Sequence, residues 1–176
     1  MKKIIALLAS FALTITLSSS STFALQSTTP YIENNVSNYY DKLGNYYNPE
    51  TGEYFKWGNS RSNVKDFTFK INIFIESARF KLDTEKVKIN IDSVKYVYGG
   101  GNNVPNQKGN FTVNLRRSSF IPSNNIAKFN APQSLRQTYD LGNGFSLDTT
   151  YYIEITSSNS LDKGIYLEGS GNVYCY

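Results

Sequence analysis

The sequence predicts an all-β protein, an antiparallel β-sandwich of immunoglobulin-like or jelly-roll-like type, on three observations. Apolar residues recur with period two in Phe67–Phe69–Ile71–Ile73–Ile75, Val87–Ile89–Ile91, Phe111–Val113–Leu115 and Tyr151–Ile153–Ile155. β-Branched and aromatic side chains dominate those stretches and suit a pleated, half-buried surface. Gly, Pro and Asn clusters separate them, and no segment carries a clear helical stripe. The best helical candidate is 131–138, where Pro132 suits a first turn. Many short alternating strands with such turns point to two packed antiparallel sheets, each with one wet face.

Taken in chain order, Met1-Lys2-Lys3, the apolar run Ile4–Leu17 and the small residues Thr22 and Ala24 form a secretory signal pattern. The run is shorter than the roughly 20 residues of a membrane-spanning helix, so cleavage after Ala24 and a secreted, extracellular chain starting at Leu25 are expected. Loss of Lys2 and Lys3, with no acid in the segment, takes the formal net charge from +4 to +2. Residues 25–45 are polar and mixed and read as an arm or linker. The sandwich domain is expected over 46–176, as one domain with a core of its own.

Tyr46-Tyr47 and Tyr54-Phe55-Lys56-Trp57 flank Asn48-Pro49-Glu50-Thr51-Gly52, a turn in which Pro suits an early position and Gly a positive φ. This is a β-hairpin signal. The period-two segment 67–75 follows as one strand. Phe80 and Leu82 suggest a short strand, and 87–98 a longer one with a bulge near Asp92-Ser93. Gly99 to Asn103 breaks that strand, and Phe111 to Leu115 forms the next. Phe120-Ile121, Tyr139-Asp140-Leu141 and Phe145-Ser146-Leu147 are weaker candidates. After Tyr151–Ile155 come Ile165-Tyr166-Leu167 and Val173-Tyr174-Cys175 as two further strands.

Composition removes several chemistries. Without a single histidine, Ser-His-Asp and Cys-His sites and the usual zinc sites have no imidazole. The lone cysteine, Cys175, forms no intramolecular disulfide; parity puts it on the buried face with Val173, and its alternative is an intermolecular bridge. Lysine and arginine are scattered and form no basic stripe, so nucleic acid is not an expected partner. No second long apolar run follows the signal, so the mature chain is expected to have no transmembrane span. No cofactor is implied. The only Ser-x-x-Lys, Ser62 to Lys65, lies beside a strand, whereas a Ser-Lys nucleophile needs helical spacing.

Three site candidates remain. Paired carboxylates can hydrolyse glycosidic bonds, and Glu154 and Glu168 lie on predicted strands, where a concave outer face would gather them with Tyr152 and Tyr166. The competing reading is two solvated strand carboxylates. Asp140, Asn143 and Asp148 surround a tight turn and offer oxygen ligands for calcium, although Asp and Asn at such turns commonly bond their own backbone. Aromatic residues crowd the stretch from Tyr39 to Trp57. Tyr46, Tyr47, Tyr54 and Trp57 are the candidate ligand platform, against the alternative that they pack into the core. The expected function is accordingly a secreted, non-catalytic binding protein for a glycan or an extracellular protein. Its alternatives are a small glycan-acting hydrolase, or a bacteriocin- or toxin-like protein inserting hairpins from 67–75 and 87–98.

Overall fold

A computed structural model describes residues 39–118, 125–158 and 160–176, all within one compact unit, Asn35–Tyr176. The signal pattern and most of the polar arm lie outside the described residues, as does Phe120-Ile121. Among the described residues the protein is all-β, with two antiparallel sheets packed face to face.

The strands, in chain order, are β1 (Tyr39–Tyr40), β2 (Tyr46–Tyr47), β3 (Tyr54–Arg61), β4 (Val64–Ile71), β5 (Phe74–Glu76), β6 (Val87–Tyr98), β7 (Gly109–Arg117), β8 (Ile126–Ala131), β9 (Gln137–Gly142), β10 (Tyr151–Ser157) and β11 (Ile165–Cys175). The larger sheet runs β1-β2-β3-β4-β11-β6-β9 and the smaller β5-β10-β7-β8. From β4 onward the chain passes between the sheets at every connection except β7 to β8. The first and last of these strands, β4 and β11, thereby become neighbours in the middle of the larger sheet.

Period-two burial explains the packing. Phe55, Phe67, Phe69, Ile71, Ile89 and Ile91 of the larger sheet face Phe111, Val113, Leu115, Ile153 and Ile155 of the smaller, all essentially inaccessible. A run of ring contacts, Phe55–Phe67–Phe69–Phe111–Phe129 at centroid separations of 5.5, 6.3, 6.0 and 5.4 Å, crosses from one sheet to the other between Phe69 and Phe111. The hairpin forms as expected, with Tyr46 opposite Phe55, Tyr47 opposite Tyr54, and Gly52 at φ +72°. Asn48 accepts from the Glu50 amide at 2.9 Å and so closes the turn.

Several expectations are corrected. The segment 67–75 is two strands in two sheets: β4 ends at Ile71, the chain crosses over, and β5 starts at Phe74. The crossing is fixed at Asn72, whose backbone amide donates to Glu53 Oε1 at 2.7 Å and whose side chain donates to the Ile165 carbonyl at 2.8 Å. Ile73, expected to face the core, is 56% exposed, while Ile75 on the far side is buried again. The two expected C-terminal strands are one, because Gly169 and Gly171 continue the ladder against both neighbours. Segment 131–138 is not helical. It carries a cis Ala131-Pro132 bond, and Gln133 exchanges two backbone hydrogen bonds with Val94 (2.8 and 2.9 Å) before β9 begins. Phe145 to Leu147 is a loop in which buried Phe145 packs edge-on against Tyr151. Phe80 makes a single bridge to Tyr151, and Tyr98 is exposed.

The expected bulge is present. Ser170 faces Ser93 and Gly171 faces Ile91, which leaves Asp92 as the extra residue of β6. Cys175 is a fully buried free thiol in line with Val173, and Tyr174 and Tyr176 stack on the opposite face at 6.0 Å.

Candidate functional site

Cross-strand register places a polar groove on the outer face of the larger sheet. With Phe55, Phe69, Tyr96 and Leu167 pointing inward, their neighbours Tyr54, Lys70, Lys95 and Glu168 point outward. Ladder pairing then aligns Tyr54, Lys70, Glu168 and Lys95 in one row across β3, β4, β11 and β6. The next row is Lys56, Thr68, Ser170 and Ser93, where Ser93 and Ser170 share a hydroxyl contact at 3.3 Å. From these rows Tyr54, Glu168, Lys95, Thr68, Ser170 and Ser93, together with the crossing segment Pro132 to Ser134, line a groove of about 640 Å³, within the usual range of small-ligand sites.

The groove is internally ordered. Tyr54 donates its hydroxyl to Glu168 Oε1 at 3.0 Å, and Lys95 Nζ lies 3.5 Å from Glu168 Oε2. Burial first, then the neighbouring Glu168 charge, pushes the Tyr54 phenol up from 10.0 to about 12. Because the folded value is raised, the protonated phenol favours folding below the unfolded value, and that contribution is lost as pH rises through about 12. Tyr54 therefore remains a hydrogen-bond donor throughout the neutral range. Lys70, almost fully buried, donates to the Gly99 carbonyl at 3.0 Å and lies over the Tyr166 ring at 4.7 Å. Both side-chain amide atoms of Gln133 are buried without a protein partner, and this residue lines the groove.

The pleat divides the four aromatic candidates in two. Tyr46 and Trp57 pack against the core, Trp57 lying 5.0 Å from both Phe55 and Phe80 with its backbone amide donated to Asn45. They belong to the packing alternative. Tyr47 and Tyr54, paired opposite each other, are on the outer face, with Lys56 over the Tyr54 ring at 4.9 Å.

Glu154 and Glu168 are not brought together: Glu154 is on the outer face of the smaller sheet and Glu168 on that of the larger. Tyr152 and Tyr166 are separated in the same way. Glu154 stands directly opposite Glu76 on β5, a residue not selected as a site from sequence. Arg116 Nη2 donates to Glu154 Oε1 at 2.9 Å, and its Nε lies 2.9 Å from Oε2 as an ion-pair contact without hydrogen-bond alignment. Burial first, then the Glu154 charge, raises the Glu76 carboxyl above its ordinary value. Asn114, opposite Glu154 on the other side, is 4% exposed, and its Oδ1 has no partner.

Of the calcium candidates, Asp140 bonds the backbone of its own turn. Asp140 accepts from the Gly142 amide at 2.9 Å and the Tyr176 hydroxyl at 2.9 Å, with Lys88 at 3.6 Å. The backbone bond first, then the Tyr176 bond, holds its carboxyl below the usual range. Asn143 and Asp148 are exposed loop residues, and among the described residues no three His, Cys, Asp or Glu side chains are grouped to hold a metal. Ser62 is exposed beyond the β3 end, and Lys65 ion-pairs with Asp83 at 3.4 Å. No helix among the described residues is long and apolar enough to cross a membrane. Of the segments considered for hairpin insertion, 67–75 is divided between β4, which lies between β3 and β11, and β5 at the edge of the smaller sheet, and 87–98 is β6, between β11 and β9.

Sequence reasoning missed Thr68, Lys70, Ser93, Lys95, Gln133 and Ser170. Parity gave each outward strand residue a face, but only register shows which of them meet. The sequence matches no protein-family model and no curated protein.

Proposed function

We propose that the chain is an exported, non-catalytic glycan-binding protein whose ligand occupies the groove beside Tyr54 and Glu168. The observation that carries this reading is the Tyr54–Glu168 hydrogen bond beside a floor of Thr68, Ser93 and Ser170 hydroxyls. Sugar hydroxyls both donate and accept, as the Thr68, Ser93 and Ser170 hydroxyls do, and the Tyr54 ring offers a stacking face. The strand order supports a jelly-roll-like sandwich over an immunoglobulin-like one, since β4-β11-β6-β9 faces β5-β10-β7-β8 with alternating crossings. Lectin domains are among the proteins built this way, an argument from fold analogy alone.

A glycan array and pull-down on insoluble polysaccharides, with protein starting at Leu25, test the reading. Tyr54→Ala and Glu168→Gln are each expected to weaken retention tenfold or more, about 1.4 kcal/mol, with Lys108→Ala as an exposed control. Retention unchanged in both variants, or capture of an extracellular protein with no glycan bound, overturns the site. Export carries its own check: intact mass of the protein in culture supernatant should correspond to a chain beginning at Leu25, and retention of Met1 would refute cleavage.

The second reading, glycan hydrolysis, is favoured by one observation, the Glu76–Glu154 pair. Directly opposed strand residues have Cβ atoms about 5 Å apart, which lets two glutamate carboxyl groups reach the roughly 5 Å separation that retaining glycosidases use. Glu76, whose carboxyl is raised by burial, would supply the proton and Glu154, ion-paired with Arg116, the nucleophile. The lead reading predicts no new reducing ends from any polysaccharide the protein retains. Release that is lost in both Glu76→Gln and Glu154→Gln would move the function to the smaller sheet.

A further inference from the structure

The outer face of the larger sheet continues past the groove. Along β11 the outward residues are Tyr166, Glu168, Ser170, Asn172 and Tyr174, and the groove covers only Glu168 and Ser170. In the third row, Asp66, Asn172, Asn90 and Thr138 stand side by side across β4, β11, β6 and β9. Asn90 Nδ2 donates to Asn172 Oδ1 at 2.7 Å and Thr138 Oγ1 donates to Asn90 Oδ1 at 2.6 Å. These bonds tie the two amides together, and both are nearly inaccessible, Asn172 at 5% and Asn90 at 8%, although they lie on the sheet's outer side. The fourth row is Val64, Tyr174, Lys88 and Asp140. Its aromatic, Tyr174, is backed by Tyr176, stacked at an interplanar angle of 16°. Tyr176 is clamped in turn by Lys88 Nζ 4.0 Å from its ring centroid and by both Asp140 oxygens.

We propose that the ligand of this face is a linear, uncharged polysaccharide lying along β11, from the Tyr54–Glu168 groove over Ser170 and Asn172 to a second aromatic contact at Tyr174. The inference rests on the glycan-binding reading and adds its ligand class and its far end. Six residues of strand separate Glu168 from Tyr174, about 20 Å at strand rise, a length for an oligosaccharide and not for one or two sugars. Between the aromatic ends the face offers the Ser93, Ser170 and Thr138 hydroxyls, a group that can both donate and accept, over an amide pair already satisfied within the sheet.

Charge and composition exclude the competing occupants. Across the four rows Lys56, Lys70, Lys88 and Lys95 stand with Asp66, Asp140 and Glu168, four positive charges against three negative, so the face presents little net charge to an ionic polymer. A protein partner would need an apolar centre for its energetic anchors, and the middle rows hold Ser, Thr and Asn. The stacked pair fixes Tyr174 before binding, which lowers the ordering cost of a contact there.

Titration calorimetry with uncharged cello-, chito-, xylo- and manno-oligosaccharides of two, four and six residues tests the proposal. In at least one series, affinity is expected to rise about tenfold or more from dimer to hexamer. Tyr174→Ala should remove most of that rise and leave dimer affinity unchanged, while Tyr174→Phe, which keeps the ring, should retain it. Equal melting temperatures exclude unfolding as the cause. Dimer and hexamer binding alike in the wild type, or a length dependence untouched by Tyr174→Ala, overturns the extended site and leaves the groove standing. Binding to polygalacturonate with none to any uncharged series overturns the ligand class. Failure of every glycan overturns the groove reading and this inference with it.

Discussion

Ile153→Lys is expected to unfold the domain, while Ile73→Lys leaves it nearly as stable as the wild type. Ile153 is fully buried on β10 opposite Leu115, and its backbone is held on the other side by Ser77, which donates to its carbonyl at 2.8 Å and accepts from its amide at 2.9 Å. A lysine there loses about 1.5–3 kcal/mol of apolar burial and adds the several kcal/mol of an unpaired buried charge. Domains of this size have only about 5–15 kcal/mol in total. Ile73 is 56% exposed where the chain leaves one sheet for the other, and surface substitutions of that kind stay within about 0.5 kcal/mol. Ile75→Lys, two residues on and buried, should behave like Ile153→Lys. Urea midpoints at constant m-value measure all three. Comparable losses in Ile73→Lys and Ile75→Lys would place Ile73 inside and refute the crossing at Asn72.

Gly171→Ala is expected to cost about 1–3 kcal/mol or more, an overpacking penalty, even though alanine is the smallest possible addition. The new Cβ would clash with the backbone carbonyl oxygen of Asn90, and would lie 2.9 Å from Ile91 Cδ1 and 3.1 Å from Phe67 Cζ. A carbonyl held in the ladder cannot turn aside as a flexible side chain would. Gly169 has the same character, with Phe69 Cζ and the Ser93 carbonyl oxygen each 2.8 Å from an added Cβ. The phenyl rings of Phe67 and Phe69 cover the gaps these glycines leave in the inner face, which is why the centre of β11 keeps its pairing. Gly100→Ala is the control, since nothing lies within 4 Å of the added atom. There the change should be small, or stabilising through the unfolded state. If Gly171→Ala and Gly100→Ala melt together, β11 is not packed as closely as its position between β4 and β6 requires.

These two experiments bear on features that differ in how far the sequence discloses them. The alternation in 87–98, 111–115 and 151–155 was legible because period two is a local property and each residue's face follows from its neighbour's. The Asp92 bulge was legible for the same reason, as a break in phase. In 67–75 the phase is unbroken, so nothing local marks the point where Ile71 and Ile75 enter different sheets. Asn72 fixes that point through Glu53 and Ile165, both distant in the chain. The C-terminal strand was legible only as two pieces, 165–167 and 173–175; Gly169 and Gly171 lie between them, and a glycine in a strand weakens it unless a ring from elsewhere covers it.

The site divides along the same line. By itself the sequence determined an all-β chain with alternating inner and outer faces and without histidine chemistry. It also placed Tyr54 and Glu168 among the candidates, each for a separate reason. Only the tertiary structure decided that these two share a hydrogen bond, that Glu154 faces Glu76 instead of Glu168, and that Tyr46 and Trp57 serve the core. The physical reason is register. Side-chain direction in a strand is set by the residue's own backbone, whereas its neighbours are set by which strand lies alongside and at what offset. That choice is made by packing across the whole sandwich.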